Sequence, residues 1–145
     1  MSIYLDNSVL NRPFDEQRQP RIWLETLALS AILQMIEAGD VELVRSPIHI
    51  LENNRSPFAN RRRWVTRCLA LAKVAAKLSE SIRIRARALE DGGMKPLDAL
   101  HAACAEDVGA SHLLTCDDPF VRRYAGPMAV LNPVDFVLTF DYKTS

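Results

Sequence analysis

Four short apolar runs, Ile3–Leu5, Val41–Val44, His112–Thr115 and Met128–Leu131, are spaced along the chain and separated by segments of helical period or loop composition. Strands divided by helices need crossover connections, so they pair mostly in parallel and are covered on both faces. From about Arg21, the apolar residues Ile22, Leu24, Leu27, Ala28, Ala31, Ile32, Met35 and Ile36 recur with helical spacing, and Gly39 supplies the stop. Ser46-Pro47 reads as an N-cap with proline at the first helical position, opening a short helix through Leu51. Asn53 to Pro57 breaks that helix. Further helices are expected from about Ala59 to Lys77, from Glu80 to Asp91 before Gly92-Gly93, and from Lys95-Pro96 to Gly109. Asp118-Pro119 caps a short helix through Tyr124, and Asn132-Pro133 begins a last helical turn. Asn11 to Asp15 reads as a loop, and the tail beyond Phe140 as loose. The expectation is an α/β fold: a three-layer α/β/α sandwich around a short, mostly parallel central sheet. At 145 residues, one domain spanning 1–145 is the default.

Charge excludes less than it first suggests. The formal net charge is zero. Between Arg55 and Arg87, however, eight Arg and two Lys face one acid, Glu80, which leaves +9 there and −9 on the rest of the chain. A basic surface beside an acidic one is compatible with nucleic acid, because phosphate contacts depend on local charge. The three cysteines, Cys68, Cys104 and Cys116, have no paired spacing and read as small core residues in a reducing compartment. Met1-Ser2 leads directly into a strand that Asp6 interrupts, so no secretory leader is expected. The best apolar stretch, Leu69 to Ala76, is broken by Lys73, so no membrane span is expected either.

The acids carry the chemistry. Asp6 and Asp117 follow strands, Asp98 opens a helix and Glu52 comes out of a short one. Ligands of parallel sheets bind beyond the carboxyl ends of the strands, where such side chains can converge. Each acid also has a purely structural reading. Asp98 suits a helix dipole. Asp117 suits an N-cap, although Asp118 before Pro119 suits it better. Asp6 suits a turn, and Glu52 a solvated helix end. His101 shares an apolar stripe with Leu97, Leu100, Cys104 and Val108 and reads as a core histidine. His49 and His112 lack zinc spacing, and Asn7 is given no role.

Tyr4-Leu5-Asp6-Asn7-Ser8, then Glu52, then Pro96-Leu97-Asp98-Ala99-Leu100-His101-Ala102-Ala103, then Leu114-Thr115-Cys116-Asp117-Asp118-Pro119-Phe120 resembles the PIN-domain family, in its VapC-like toxin branch. The likeness covers nearly the whole chain in order. It implies an endoribonuclease that cleaves single-stranded or structured RNA with Mg²⁺ or Mn²⁺, with water activated by the cation. It further implies the toxin of a toxin–antitoxin pair, held by a cognate antitoxin, homodimeric and cytoplasmic. By position, Asp6, Glu52, Asp98 and Asp117 match the family's acidic quartet, with Asp6, Asp98 and Asp117 as the main metal ligands. Ser8 and Thr115 match the hydroxyl positions that support them. Such hard oxygen donors suit Mg²⁺, and their mutual repulsion without a cation would raise at least one pKa.

Arg12, Arg61, Arg62, Arg63 and Arg122 are the candidate contacts to RNA or a partner, with Trp64 offering a stacking face. A solvated helix face with Trp64 in the core fits Arg61 to Trp64 as well. The segment from about 53 to 78 carries no family signature and reads as a variable helical clip. A binding module without catalysis, or a processing or DNA nuclease without an antitoxin, remains open on the same residues.

Overall fold

A computed structural model describes residues 1–140, so the tail expected to be loose lies outside the described residues. The centre is a five-stranded, wholly parallel sheet in the order β3-β2-β1-β4-β5. Its strands are β1 (Ser2–Leu5), β2 (Glu42–Arg45), β3 (Val74–Ala75), β4 (His112–Leu114) and β5 (Ala129–Leu131). In register, Tyr4 lies opposite Val44 on one side and Leu113 on the other.

Among the described residues, eight helices cover the sheet: α1 (Asn7–Leu10), α2 (Pro20–Ala38), α3 (Pro47–Asn54), α4 (Ala59–Leu69), α5 (Glu80–Asp91), α6 (Pro96–Asp107), α7 (Asp118–Arg123) and α8 (Pro133–Thr139). Alternation along the strands sorts the core into two layers. Tyr4, Val44, Leu113 and Val130 face α5 and α6, meeting Ile82, Leu89, Ala99 and Ala103. Ile3, Leu5, Leu43 and Leu114 face α2, α4 and α8, meeting Leu29, Ile32, Val65 and Phe136. No helix among the described residues is long and apolar enough to cross a membrane.

The structure departs from the sequence reading at three joints. The helix expected to run to Lys77 ends at Leu69, and Val74–Ala75 forms an edge strand on β2. Here the sheet edge outcompetes a helix whose apolar residues fit either period. Second, α3 does not break at Asn53. It runs to Asn54, and the Asn53 side chain donates to Arg62 O (3.1 Å), tying α3 to α4. Third, Arg12–Phe14, read as loop, forms a single 3₁₀ turn. The stop at Gly39 is present, with the glycine left-handed at φ 82°.

The N-terminus of α3 has a capping box in which His49 takes the place of the usual acid or amide. The Ile48 N–H donates to Ser46 Oγ (3.2 Å), and the Ser46 N–H donates to His49 Nδ1 (3.1 Å). His49 Nε2 then carries the proton and donates to Leu5 O at 2.7 Å, linking α3 to the end of β1. Burial, helped by His101 nearby, pushes the His49 pKa down to about 3, so this imidazole is neutral.

Candidate active site

β1 lies between β2 and β4, where the strand order reverses: the chain runs outward from β1 through β2 to β3, then crosses back to β4 on the other side of β1. The crevice opens at that reversal, beyond the carboxyl ends of these strands. It is a cleft of about 540 Å³, lined by Asp6, Glu52, Asp98 and Asp117 together with Ser8, Arg12, Arg55, Phe58 and Arg61. All four acids, read from segments more than a hundred residues apart, therefore share one depression.

Asp6 continues the β1 ladder, its N–H donating to Leu114 O at 2.9 Å. Its side chain is almost fully buried and is held rigidly. Oδ2 accepts from Ser8 Oγ (2.7 Å) and from Thr115 Oγ1 (2.8 Å). Each hydroxyl is itself oriented by a backbone N–H, that of Cys116 for Ser8 and that of Asp117 for Thr115, both at 3.1 Å. Thr115 thus touches two acids, one by side chain and one by backbone.

Glu52 projects from the last turns of α3 and accepts from His101 Nε2 at 3.1 Å. The same nitrogen lies 3.7 Å from Asp6 Oδ1. With Nε2–H donating to the carboxylate, His101 Nδ1 accepts from the Tyr4 hydroxyl, which accepts from Ser46 Oγ (2.6 Å). This assignment satisfies every member of the buried chain. Burial holds the Tyr4 pKa well above its ordinary value, so the phenol stays protonated.

Asp98 lies in the first turn of α6 behind Pro96. Burial, then the charges of Asp6 and Asp117, push its pKa up to about 6. Asp117, not Asp118, occupies the cap position of α7, yet its side chain makes no capping bond. Asp118 is instead held by Arg21, which reaches both its oxygens at 2.8 Å and also donates to Cys116 O (3.1 Å). Arg21 also binds Glu25, a fully buried acid that accepts from Arg12 (2.9 Å) and Asn132 as well. Burial alone would raise the Glu25 pKa, but these hydrogen bonds hold it below the carboxylate range. The clasp fixes the turn that carries Asp117.

The donor set fits a divalent cation. Carboxylate oxygens of Asp6 and Glu52 and a ring nitrogen of His101 lie within 4.8 Å of one another. Asp98 and Asp117 line the same cleft but stand outside that group. Burial first, and then repulsion from Asp6 and Asp117, raises the Asp98 pKa; a hard cation among the oxygens would relieve the repulsion.

The cationic candidates divide. Arg12 lines the cleft, but its guanidinium is committed to Glu25 and Asp15. Arg61 lines it too, with its guanidinium over the Phe14 and Phe58 rings at 5.5 and 5.6 Å. Arg62 and Arg63 line a separate groove along α4, and Arg122 is exposed on α7. Trp64 is partly buried, packed against the core with its indole N–H on Leu10 O (2.8 Å).

Sequence reasoning missed the hydrogen bond of His101 to Glu52, and Arg55 altogether. The signals are one helical turn each: His101 three residues after Asp98, Arg55 three after Glu52.

A family model for the PIN domain matches residues 3–126. Among solved structures, the chain is similar to FitAcB from Neisseria gonorrhoeae, at 21% identity and a TM-score of 0.55, over 90% of this chain and 97% of that one. It is similarly close to FitAB bound to the IR36 DNA fragment, at 21% identity and a TM-score of 0.54, over 97% of this chain and 99% of that one. At that identity the likeness is one of fold. No curated protein matches the chain.

Proposed function

The chain belongs to the PIN domain family, and from that premise we propose that it is a divalent-metal-dependent endoribonuclease acting as the toxin of a toxin–antitoxin pair. The observation that carries the reading is the single cleft lined by Asp6, Glu52, Asp98 and Asp117. Asp6, Asp98 and Asp117 would hold Mg²⁺ or Mn²⁺, with Glu52 completing the set. The bound cation supplies neutralisation of phosphate charge and acidification of a water.

The chain's own residues provide the preorganisation. Ser8 and Thr115 occupy one oxygen of Asp6 and leave Oδ1 on the cleft side. His101 keeps Glu52 turned inward, backed by Tyr4 and Ser46. Arg21 and Glu25 steady the turn that carries Asp117. Groups locked in this way lose little freedom when substrate arrives.

An antitoxin partner and a cytoplasmic setting follow from the family resemblance, and the likeness to FitAB supports the partner. A homodimer belongs to the same reading. Trp23, Leu24 and Leu27 expose an apolar row on α2 that a second copy would cover.

The test is RNA-end sequencing after expression of wild type and of Asp98→Asn. New ends and growth arrest with wild type alone are expected, and arrest should be reversed by the product of a short neighbouring reading frame. Equal RNA cutting by purified wild type and Asp98→Asn removes the catalytic assignment. Binding of RNA that ignores EDTA and leaves no cut products establishes a binding module instead.

A further inference from the structure

The floor of the cleft is acidic, so its carboxylates repel the phosphates of an approaching RNA strand. Attraction has to come from the rim, where the α3–α4 corner stands out. Between Arg55 and Arg67 the chain carries five arginines and no acid. The Arg55 side chain makes no hydrogen bond or ion pair with the described residues, and it lines the cleft one helical turn beyond Glu52.

Phe58 lines the same rim and is 61% exposed. It occupies the N-cap position of α4 and gives no side-chain cap, where Ser, Thr, Asp or Asn would stabilise the helix. A large exposed aromatic there forgoes capping and buries little apolar surface, so folding alone does not account for it. Arg61, one turn on, lays its guanidinium over the Phe58 ring and over Phe14, which props the ring at the cleft mouth.

We propose that Phe58 and Arg55 form a nucleotide subsite on the rim of the cleft, Phe58 stacking an unpaired base and Arg55 binding the phosphate beside the one that is cut. The subsite rests on the nuclease reading. Its chemistry favours a nucleotide over a peptide anchor because the exposed ring shares the cleft rim with Arg55, and an aromatic face with a cation beside the same groove is the pairing that single-stranded nucleic acid uses. A base held at a fixed distance from the carboxylates also fixes which bond enters them.

The test uses the full chain and a short, fluorescently labelled single-stranded RNA, with affinity measured by anisotropy on the Asp98→Asn background and cutting measured on the wild-type background. Phe58→Ala should weaken binding roughly tenfold, while Phe58→Trp retains it. An abasic nucleotide at one position should weaken binding to the Phe58 protein by a similar factor and leave the Phe58→Ala protein unaffected. Arg55→Ala should reduce the dependence of log affinity on log salt by about 0.7. On the cutting background, Phe58→Ala should raise KM with kcat little changed.

Unchanged affinity and KM in Phe58→Ala, with wild type still cutting, overturn the subsite and leave the nuclease standing. Unchanged RNA affinity with loss of a copurifying protein overturns it in favour of a peptide-docking residue. A wild type that neither binds nor cuts RNA defeats the nuclease reading and the subsite with it.

Discussion

Asp98 shows how one side chain links stability to function. In the cation-free chain its pKa rises from 3.8 to about 6. Through that window the folded state holds its proton more tightly than the unfolded state, so this group's contribution to stability falls as pH rises. Asp98→Asn removes the penalty. At about pH 7.5 the cation-free variant should melt no lower than wild type while losing RNA cutting. Mg²⁺ should raise the wild-type melting temperature at about pH 7.5 and have little effect at about pH 5, where the proton already occupies Asp98. Equal Mg²⁺ stabilisation at both values would show that this carboxyl does not govern the site. His49 works in the opposite sense. Its pKa falls from 6.5 to about 3, so the stability it contributes is present above 6.5 and is lost as pH falls through that window.

Among the elements, α3 does the most to build the site, because its capping box is also the root of the hydrogen bonds that reach Glu52. Ser46→Ala removes the cap and the hydrogen bond that the Tyr4 hydroxyl accepts, leaving Tyr4 only its bond to His101, and it should cost about 1–2 kcal/mol in urea unfolding. A change within error would mean the cap is replaced locally. Much of this architecture was legible beforehand: the strand–helix alternation gave the layered fold, Pro96 and Pro119 gave the starts of α6 and α7, and the acids fell at element ends. What stayed hidden has physical causes. Leu69 to Ala76 fits a helix until a sheet edge is available to Val74–Ala75. His101 sits on an apolar stripe, and its partners come from β1 and α3, which no local pattern reveals. Arg12 looked free because Glu25, which claims it, lies on the buried side of α2.

For the whole molecule, a neutral total splits into an acidic cleft and a cationic α3–α4 corner. Approach of RNA should therefore be strongly salt-dependent. With about three phosphates neutralised, log affinity should fall against log salt with a slope of about −2. A flat dependence would mean that the cations from Arg55 to Arg67 do not meet the strand. The three cysteines lie buried on opposite sides of the sheet, Cys104 in the α5–α6 layer and Cys68 and Cys116 in the α2–α4–α8 layer. Burial pushes the Cys68 and Cys104 thiols up to about 11 and Cys116 up to about 12. Thiolate is then scarce, so a native sample should resist alkylation for as long as it stays closed. Peptide mapping of slow iodoacetamide labelling therefore reads each layer separately: equal rates at all three sites mean the sandwich opens as a unit, and early modification of Cys104 means the α5–α6 cover lifts first.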